Sequence, residues 1–399
     1  MTLIRELVYA ALDAIVMIAV VLPCLYLAGL AFVSWLPPRR FRRRRVDPIQ
    51  LAVLIPAHNE ERSIGRTIAS IVRAAPDAAV HVVADNCSDA TAAKARSAGA
   101  CVHSRGDQSR RGKAAALNWL VREVLAEDAA SHAFVIVDAD SRVQPEFFEQ
   151  LRGRLAEGAM VVQAANLADR EVRAPLALLR RVAFHLRCEL RPRAYERLGA
   201  SAGLYGNGMC FAREVLERYP WNERSVVEDH ELHVRLVASG ITVRFAARAV
   251  VRSTMPASFR GAAKQAIRWE SATAADLAEG FTLVWRGARH RRITELVAGL
   301  EVVIPLLSLL VASGVAALLT GVALADLTLT ALGGLALVSS TAYVARGIAL
   351  ARIGPRELLF FALWIPAFVI WKLGILIRAI AGAGRSWEQA RERPAVPGR

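Results

Sequence analysis

Apolar residues are not spread evenly along the 399-residue chain; they crowd into its first forty and last hundred positions. From about Val8 to Leu36 the chain is one apolar run, interrupted only by Asp13 and Pro23. About twenty residues cross a bilayer at 1.5 Å rise each, so this run predicts a membrane-spanning helix. Pro37, Pro38 and a basic block, Arg39-Arg40-Phe41-Arg42-Arg43-Arg44-Arg45, follow it where a cleaved leader would carry small residues. That pattern predicts a retained anchor with its basic flank in the cytoplasm. A second apolar region, Leu296 to Leu350, is too long for one crossing, and its weak break between Thr320 and Thr328 predicts a two-span hairpin. Arg286, Arg289, Arg291 and Arg292 precede it and Arg346, Arg352 and Arg356 follow, so both ends are expected inside. A fourth segment, Leu358 to Ala381, contains Pro366, Lys372 and Arg378. It is expected to span, which would leave the arginine-containing tail outside; a broken or interfacial helix would relieve that conflict.

The middle of the chain, roughly Pro48 to Arg292, alternates two periods. Leu51–Ile55, Ala79–Val83, Cys101–His103 and Ala133–Val137 are short apolar runs bounded by turn residues, which suits strands buried on both faces. Between the first two, Ile64, Ile68, Ile71 and Val72 recur at helical spacing; Ser88 or Asp89 can cap the next helix and Gly99 can end it. Another helix opens near Lys113. The alternation predicts an α/β cytoplasmic domain with a mostly parallel sheet. The expected layout is an anchor over 1–47, this domain over 48–254, interfacial amphipathic helices over 255–295, about three spans over 296–381 and a tail over 382–399.

Composition narrows the class. Fifty-one basic residues against thirty-six acidic ones leave +15, but 54% hydrophobic content excludes a disordered polyelectrolyte. The five cysteines are odd in number and scattered, without zinc-ligand or CxxC spacing, and are expected to be reduced thiols facing the cytoplasm. A basic block abutting a span reads as a topogenic flank, so no nucleic-acid partner is expected; membrane lipids are.

Ligands of open α/β sheets sit beyond the carboxyl ends of the strands. Those ends carry Pro56-Ala57-His58-Asn59-Glu60, Asp85 with Asn86, and Asp138-Ala139-Asp140. Two carboxylates one residue apart on extended backbone point the same way, and Asp138 with Asp140 can hold a hard divalent cation that grips phosphate oxygens. Asp85 can accept from a uracil or ribose edge, or serve as a turn acid. The Arg110-Arg111-Gly112-Lys113 loop opens a helix, so three cations and backbone donors could converge on a diphosphate. Glu228-Asp229-His230 follows Ser225-Val226-Val227 and starts a helix; Asp229 can act as a general base or simply favour the helix dipole. Gln265, Arg268 and Trp269 share one helical face, suited to a diphosphate and a sugar ring or to a membrane interface.

In order, Pro56-Ala-His-Asn-Glu60, Asp85, Lys113, Asp138-Ala-Asp140, Glu228-Asp229 and Gln265-xx-Arg268-Trp269 resemble the motif series of membrane-embedded family 2 glycosyltransferases. Those are inverting enzymes of the GT-A fold, a Rossmann-like architecture, and include cellulose, hyaluronan, chitin and poly-N-acetylglucosamine synthases. The resemblance implies a UDP-sugar donor bound by Pro56, Asn59, Glu60, Asp85, Lys113, Asp138 and Arg268. It implies Mg²⁺ or Mn²⁺ on Asp138 and Asp140, and Asp229 as base. Glu228, Gln265, Trp269 and the loop at Gly206-Asn207 would lie toward the acceptor; the glycines there would admit a sugar, or mark a bulge. Asn86 stands where many relatives have a second acid. The implied reaction is hexosyl transfer to a growing polysaccharide at the cytoplasmic face of the inner (plasma) membrane. A lipid acceptor, as in ceramide-type glucosyltransferases, is the alternative, since few polar residues beyond Glu301, Lys372 and Arg378 are available to line a channel. A non-catalytic nucleotide-binding scaffold is disfavoured by the presence of all three acids, Asp138, Asp140 and Asp229. Export partners are not predicted.

Overall fold

The computed structural model describes residues 2–38, 49–169, 175–221, 228–254, 261–263, 265–267, 270 and 277–381. The basic block at 39–45, the Ser225-Val227 run, Arg268, Trp269 and the arginine-containing tail lie outside the described residues. The first apolar run forms α1 (Thr2–Val16) and α2 (Leu22–Val33), joined by a π-helical turn at Met17–Val21. Pro23 lies in the first turn of α2, and the wider turn just before it accommodates a ring that would otherwise meet the carbonyl one turn back.

The next elements are β1 (Leu51–Ala57), α3 (Ile64–Ala74), β2 (Ala79–Asp85), α4 (Thr91–Ser97), β3 (Cys101–Arg105), α5 (Lys113–Glu127) and β4 (Ala133–Ile136). The four expected strands are present and pair in parallel in the order β3-β2-β1-β4. α3 lays Ile64, Ile68 and Ile71 fully buried on the sheet, each contributing about 1.5–3 kcal/mol, while Val72 stays exposed. Asp89 accepts from the Thr91 backbone N–H at 3.0 Å where α4 starts, and Gly99, at φ 92°, lets the chain turn after it.

The second half comprises β5 (Ser141–Val143), α6 (Phe147–Ala156), β6 (Val161–Ala168) and α7 (Pro175–His185), which a second π-helical turn at Leu186–Leu190 joins to α8 (Arg191–Leu198). β7 (Met209–Ala212), α9 (Arg213–Arg218), α10 (Glu228–Ala238) and β8 (Val243–Ser253) follow. These strands extend the sheet past β4 in the order β7-β6-β8-β5. β7 runs antiparallel to both its neighbours, and β8 runs parallel to β6 and antiparallel to β5, giving one mixed, parallel-dominant eight-stranded sheet with helices on both faces. One apolar layer lies under α3 and α6, with Ile68, Phe147 and Phe148; the other lies under α5 and α10, with Leu117, Leu120 and Leu232.

From residue 277 on, the described residues form α11 (Leu277–Arg289), α12 (Ile293–Val303), α13 (Leu307–Leu324), α14 (Leu327–Ala351) and α15 (Pro355–Ile380). The apolar region expected to begin at Leu296 is therefore divided: its start belongs to α12, packed on α11, and Pro305 separates this from the hairpin. The hairpin turns at Ala325-Asp326, inside the expected break, where Ala325 has φ 52° and Asp326 accepts from Leu329 N at 3.0 Å. Backbones touch across it: a Cβ on Gly321 would lie 2.4 Å from Thr330 N, and one on Gly333 2.4 Å from Leu318 N. α15 runs unbroken through Pro366. Glu6–Val33, Leu307–Leu324, Leu327–Ala351 and Pro355–Ile380 are long and apolar enough to cross a membrane, and they leave Phe32, Leu327 and Ile370 facing outward. These candidate spans meet the sheet domain through α7 and α8, where Arg191 Nε donates to Tyr343 Oη at 2.9 Å.

Candidate active site

The parallel strands end together. β1 lies between β2 and β4, so Asp85 and Asp138 emerge from strands two spacings apart, about 10 Å. The segment after β1 braces the end of β2: His58 Nδ1 lies 2.6 Å from Asp85 O, and Asn59, at φ 55°, accepts from Ser88 N at 2.8 Å. Glu60 donates its backbone N–H to Thr91 Oγ1 at 2.7 Å and accepts from Ser63 Oγ at 2.8 Å. Pro56 sits in register with Val83. Asn59 is thus engaged in loop geometry.

Asp85 is buried and paired with Arg105, whose Nη1 stands 2.6 Å from Asp85 Oδ1. Asn86, at φ 50°, adds a 3.1 Å bond to the same oxygen. Arg105 was not singled out from the sequence. The register that sets His81 against Cys101 carries on to Asp85 against Arg105, so aligning β2 with β3 would have found it. The loop beyond is organised by Asp107, which accepts from Ser109 and Arg110 and is held below the usual carboxylate range, chiefly by the Ser109 hydroxyl. Arg110 is bonded to Asp107 and Arg111 to Gln108, both exposed, whereas Lys113 turns inward. The three cations of this loop do not converge.

Lys113 Nζ stands 2.5 Å from Asp138 Oδ1 and also donates to Gly206 O. Burial pulls its pKa down, but the carboxylates of Asp138, Glu228 and Asp229 outweigh that and hold the ammonium charge on. Gly206, at φ 74°, brings Asp229 to the same place: a Cβ there would lie 3.2 Å from Asp229 Oδ2 and 3.7 Å from Lys113 Nζ. Residues from β4, α5, α10 and the loop before β7 therefore meet in one cleft. Gly206→Ala would strain a left-handed backbone and crowd the Asp229 carboxylate. We expect it to lower kcat by about ten- to a hundredfold with nucleotide affinity unchanged, measured by steady-state kinetics beside equilibrium binding.

The Asp138-Asp140 segment departs from the extended backbone expected of it. Ser141 N donates to Asp138 O at 3.1 Å, closing a tight turn that Thr67 Oγ1 supports from below through a 2.8 Å bond to Ala139 O. Burial, with the nearby charges of Asp138 and Glu60, pushes Asp140 up to about 7. Crowded carboxylates in an all-oxygen set fit a hard divalent cation such as Mg²⁺ or Mn²⁺, which would relieve their repulsion; the Lys113 ammonium already stands against one of them.

Asn207 is buried and fully engaged. Its Oδ1 accepts from Asp138 N at 3.1 Å, while Nδ2 donates to Ser141 Oγ and Ser253 Oγ, both at 2.9 Å. Gln163 donates to its carbonyl at 2.8 Å. This amide fixes the Asp138 backbone to the ends of β5 and β8 and offers no group to a ligand. Gln265 accepts from Arg180 at 2.5 Å, and Glu270, a few residues on, receives Lys372 of α15 at 2.6 Å. Glu228 opens α10 beside Asp229.

Below the cleft, toward the spans, lies a second polar group. Tyr205 Oη donates to Ala202 O at 3.0 Å and to Glu301 Oε1 of α12 at 3.3 Å. Near them is Arg187. Its side chain is solvent-accessible between buried Leu186 and Cys188, and it makes no hydrogen bond or ion pair among the described residues. Dehydration is the largest influence on the guanidinium, and Cys188, Glu301 and Tyr205 act against it and keep the charge on.

Comparison with known proteins follows this geometry. A mannosyltransferase from Pyrobaculum calidifontis, solved with GDP-mannose and Mn²⁺, superposes with a TM-score of 0.56 at 18% identity, over 93% of this chain and 98% of that one. Glucosyl-3-phosphoglycerate synthase from Mycobacterium tuberculosis, solved with Mg²⁺ and UDP, aligns at 23% identity over 57% of this chain and 74% of that one, with a TM-score of 0.34. No curated protein matches the sequence. The model of a family described as glycosyltransferase like family 2 matches residues 48–272, more than half of the chain, and the protein belongs to that family.

Proposed function

We propose that the chain is an inverting glycosyltransferase that moves a hexosyl group from a UDP-sugar onto an acceptor presented at the membrane, with its catalytic domain in the cytoplasm. The observation that carries this reading is the approach of Asp229 to the Lys113–Asp138 pair across Gly206, which sets a carboxylate base beside groups suited to a diphosphate. In the proposed step the acceptor hydroxyl loses its proton to Asp229, and its oxygen forms a bond to the anomeric carbon from the face opposite the diphosphate. The old C–O bond breaks with its electron pair leaving on the diphosphate, and an α-linked donor gives a β-linked product. Lys113 stabilises the departing charge, and Arg268 and Trp269 keep the diphosphate and acceptor roles that the resemblance implies. A divalent cation on Asp138 and Asp140 would supply Lewis-acid stabilisation of the same diphosphate. Asp85 and Arg105 receive the nucleoside. Asn59 and Asn207 position backbone.

The acceptor we favour is a lipid-linked one rather than a growing polysaccharide. Two of the three polar side chains that could have lined a channel are engaged at the junction of domain and spans: Glu301 with Tyr205 and Lys372 with Glu270. Arg187, an exposed cation near Glu301 and Tyr205, lies on that side and suits an anionic headgroup. The test is incubation of purified protein with UDP- and GDP-sugars, Mn²⁺ and membrane lipid extract. UDP release with label in a solvent-extractable product is expected. A high-mass product would replace the lipid acceptor with a polysaccharide, GDP release would overturn the UDP assignment, and no nucleotide release from any donor would overturn the transferase reading.

A further inference from the structure

A separate cluster of metal-ligating side chains lies at the open edge of the sheet. β3 is the edge strand and pairs in parallel with β2, with Cys101 opposite His81 and His103 two residues further on. Residues in register, and residues two apart, project from the same face, so all three stand on one side of the sheet. α5 covers that side and turns Trp119 edge-on to the His103 ring at 6.3 Å. His81 Nδ1 lies 3.2 Å from His103 Nε2, and Cys101 Sγ lies 3.6 Å from the same nitrogen. One donor atom from each residue falls within 4.8 Å of the other two.

The two contacts made by His103 Nε2 match the edges of a coordination shell. Tetrahedral zinc has Zn–N of about 2.0–2.1 Å and Zn–S of about 2.3 Å, which puts N···N edges at about 3.3 Å and N···S edges at about 3.5 Å. A hydrogen bond accounts for either contact alone, but His103 Nε2 is faced by an imidazole nitrogen and a thiol at once and can serve only one of them well. An ion at the centre engages all three. The donors also have the chemistry: imidazole nitrogen and thiolate sulfur select borderline and soft d-block ions over the hard cations that carboxylates prefer.

We propose that His81, Cys101 and His103 form a binding site for a divalent d-block cation of the zinc class, distinct from the cleft at Asp138 and Asp140. Cys101 is exposed, so the fourth position opens to solvent and is completed by water. An ion here cross-links the edge strand to β2, four residues before Asp85 on one strand and two before Arg105 on the other.

Cobalt(II) is the probe, titrated into the purified full-length protein in detergent. One equivalent is expected to produce thiolate-to-cobalt charge-transfer absorption with the intense ligand-field bands of four-coordinate cobalt, both removed on adding Zn²⁺. Cys101→Ser, a small change at an exposed position, is expected to abolish the charge-transfer band, and His103→Gln to weaken binding by tenfold or more. Asp140→Asn is expected to leave both signals intact, because the cleft offers only oxygen donors. Absence of the band in the natural sequence, its persistence in Cys101→Ser, or its loss in Asp140→Asn would each overturn the proposal. Nucleotide release measured on the same preparations reads the transferase activity separately.

Discussion

Asp229→Asn is expected to remove sugar transfer, with kcat lowered by about 10²–10⁴-fold, while UDP affinity measured by titration calorimetry stays within about twofold. The amide keeps the shape of the carboxylate and can still hydrogen-bond, but it cannot take a proton from the acceptor hydroxyl. The split between the two measurements is what identifies a base. Asp229 stands near Lys113 through Gly206, so removing its charge also removes one of three carboxylate influences on the ammonium, with Asp138 and Glu228 remaining. Nucleotide binding should therefore survive. Turnover at the rate of the natural sequence would take the base role away from Asp229, and a parallel loss of UDP binding would make it a donor-site residue instead.

Asp140→Asn is expected to work in opposite directions on stability and activity. Burial and the charges of Asp138 and Glu60 raise Asp140 from an ordinary 3.8 to about 7. A carboxylate whose pKa is raised on folding binds its proton more tightly in the folded state. The metal-free protein therefore loses stability as pH climbs from about 4 to 7, and the whole penalty is present above 7. The asparagine variant lacks that penalty. Without added metal at pH 8 it should be more stable than the natural sequence by on the order of 1–2 kcal/mol, a figure reduced for partial solvent screening. At pH 4 the difference should vanish. Mn²⁺ should stabilise the natural sequence and not the variant, and transfer by the variant should fall by about a thousandfold or more. Thermal unfolding in detergent at both pH values, with and without Mn²⁺, reads all of this. Equal unfolding temperatures at pH 8 would contradict the crowding at this site.

The half of the fold visible in the sequence is the half built from parallel strands buried on both faces. Runs such as Leu51–Ile55 and Ala133–Ile136 carry nothing but core residues, so they announce themselves. β6 does not: Val161–Ala168 is buried along its whole length, yet contains Gln163 and Asn166. Its burial depends on polar partners far away in the chain, Asn207 O for one and Ser253 Oγ for the other, and no local period encodes such pairings. β5 and β7 are too short for a period to show. The same distinction runs through the site. Acids at strand ends were legible because the topology of parallel sheets fixes where strands end. The cation beside Asp85, the buried amide under Asp138 and the tyrosine reaching Glu301 were not, since each is defined by its partner rather than by its neighbours in sequence. Asn207 is the clearest case: its flanking glycines drew attention to the loop, but its side chain faces inward.

The ion pair between Lys372 and Glu270 ties the stretch after Gln265 to α15, the candidate span with the smallest share of its surface covered by protein. A helix so little held by its own chain takes its tilt largely from the thickness of the surrounding lipid. Lys372 thereby carries the mechanical state of the bilayer to Glu270, on the domain side of the chain, so turnover should differ between short-chain and long-chain phospholipids of identical headgroup.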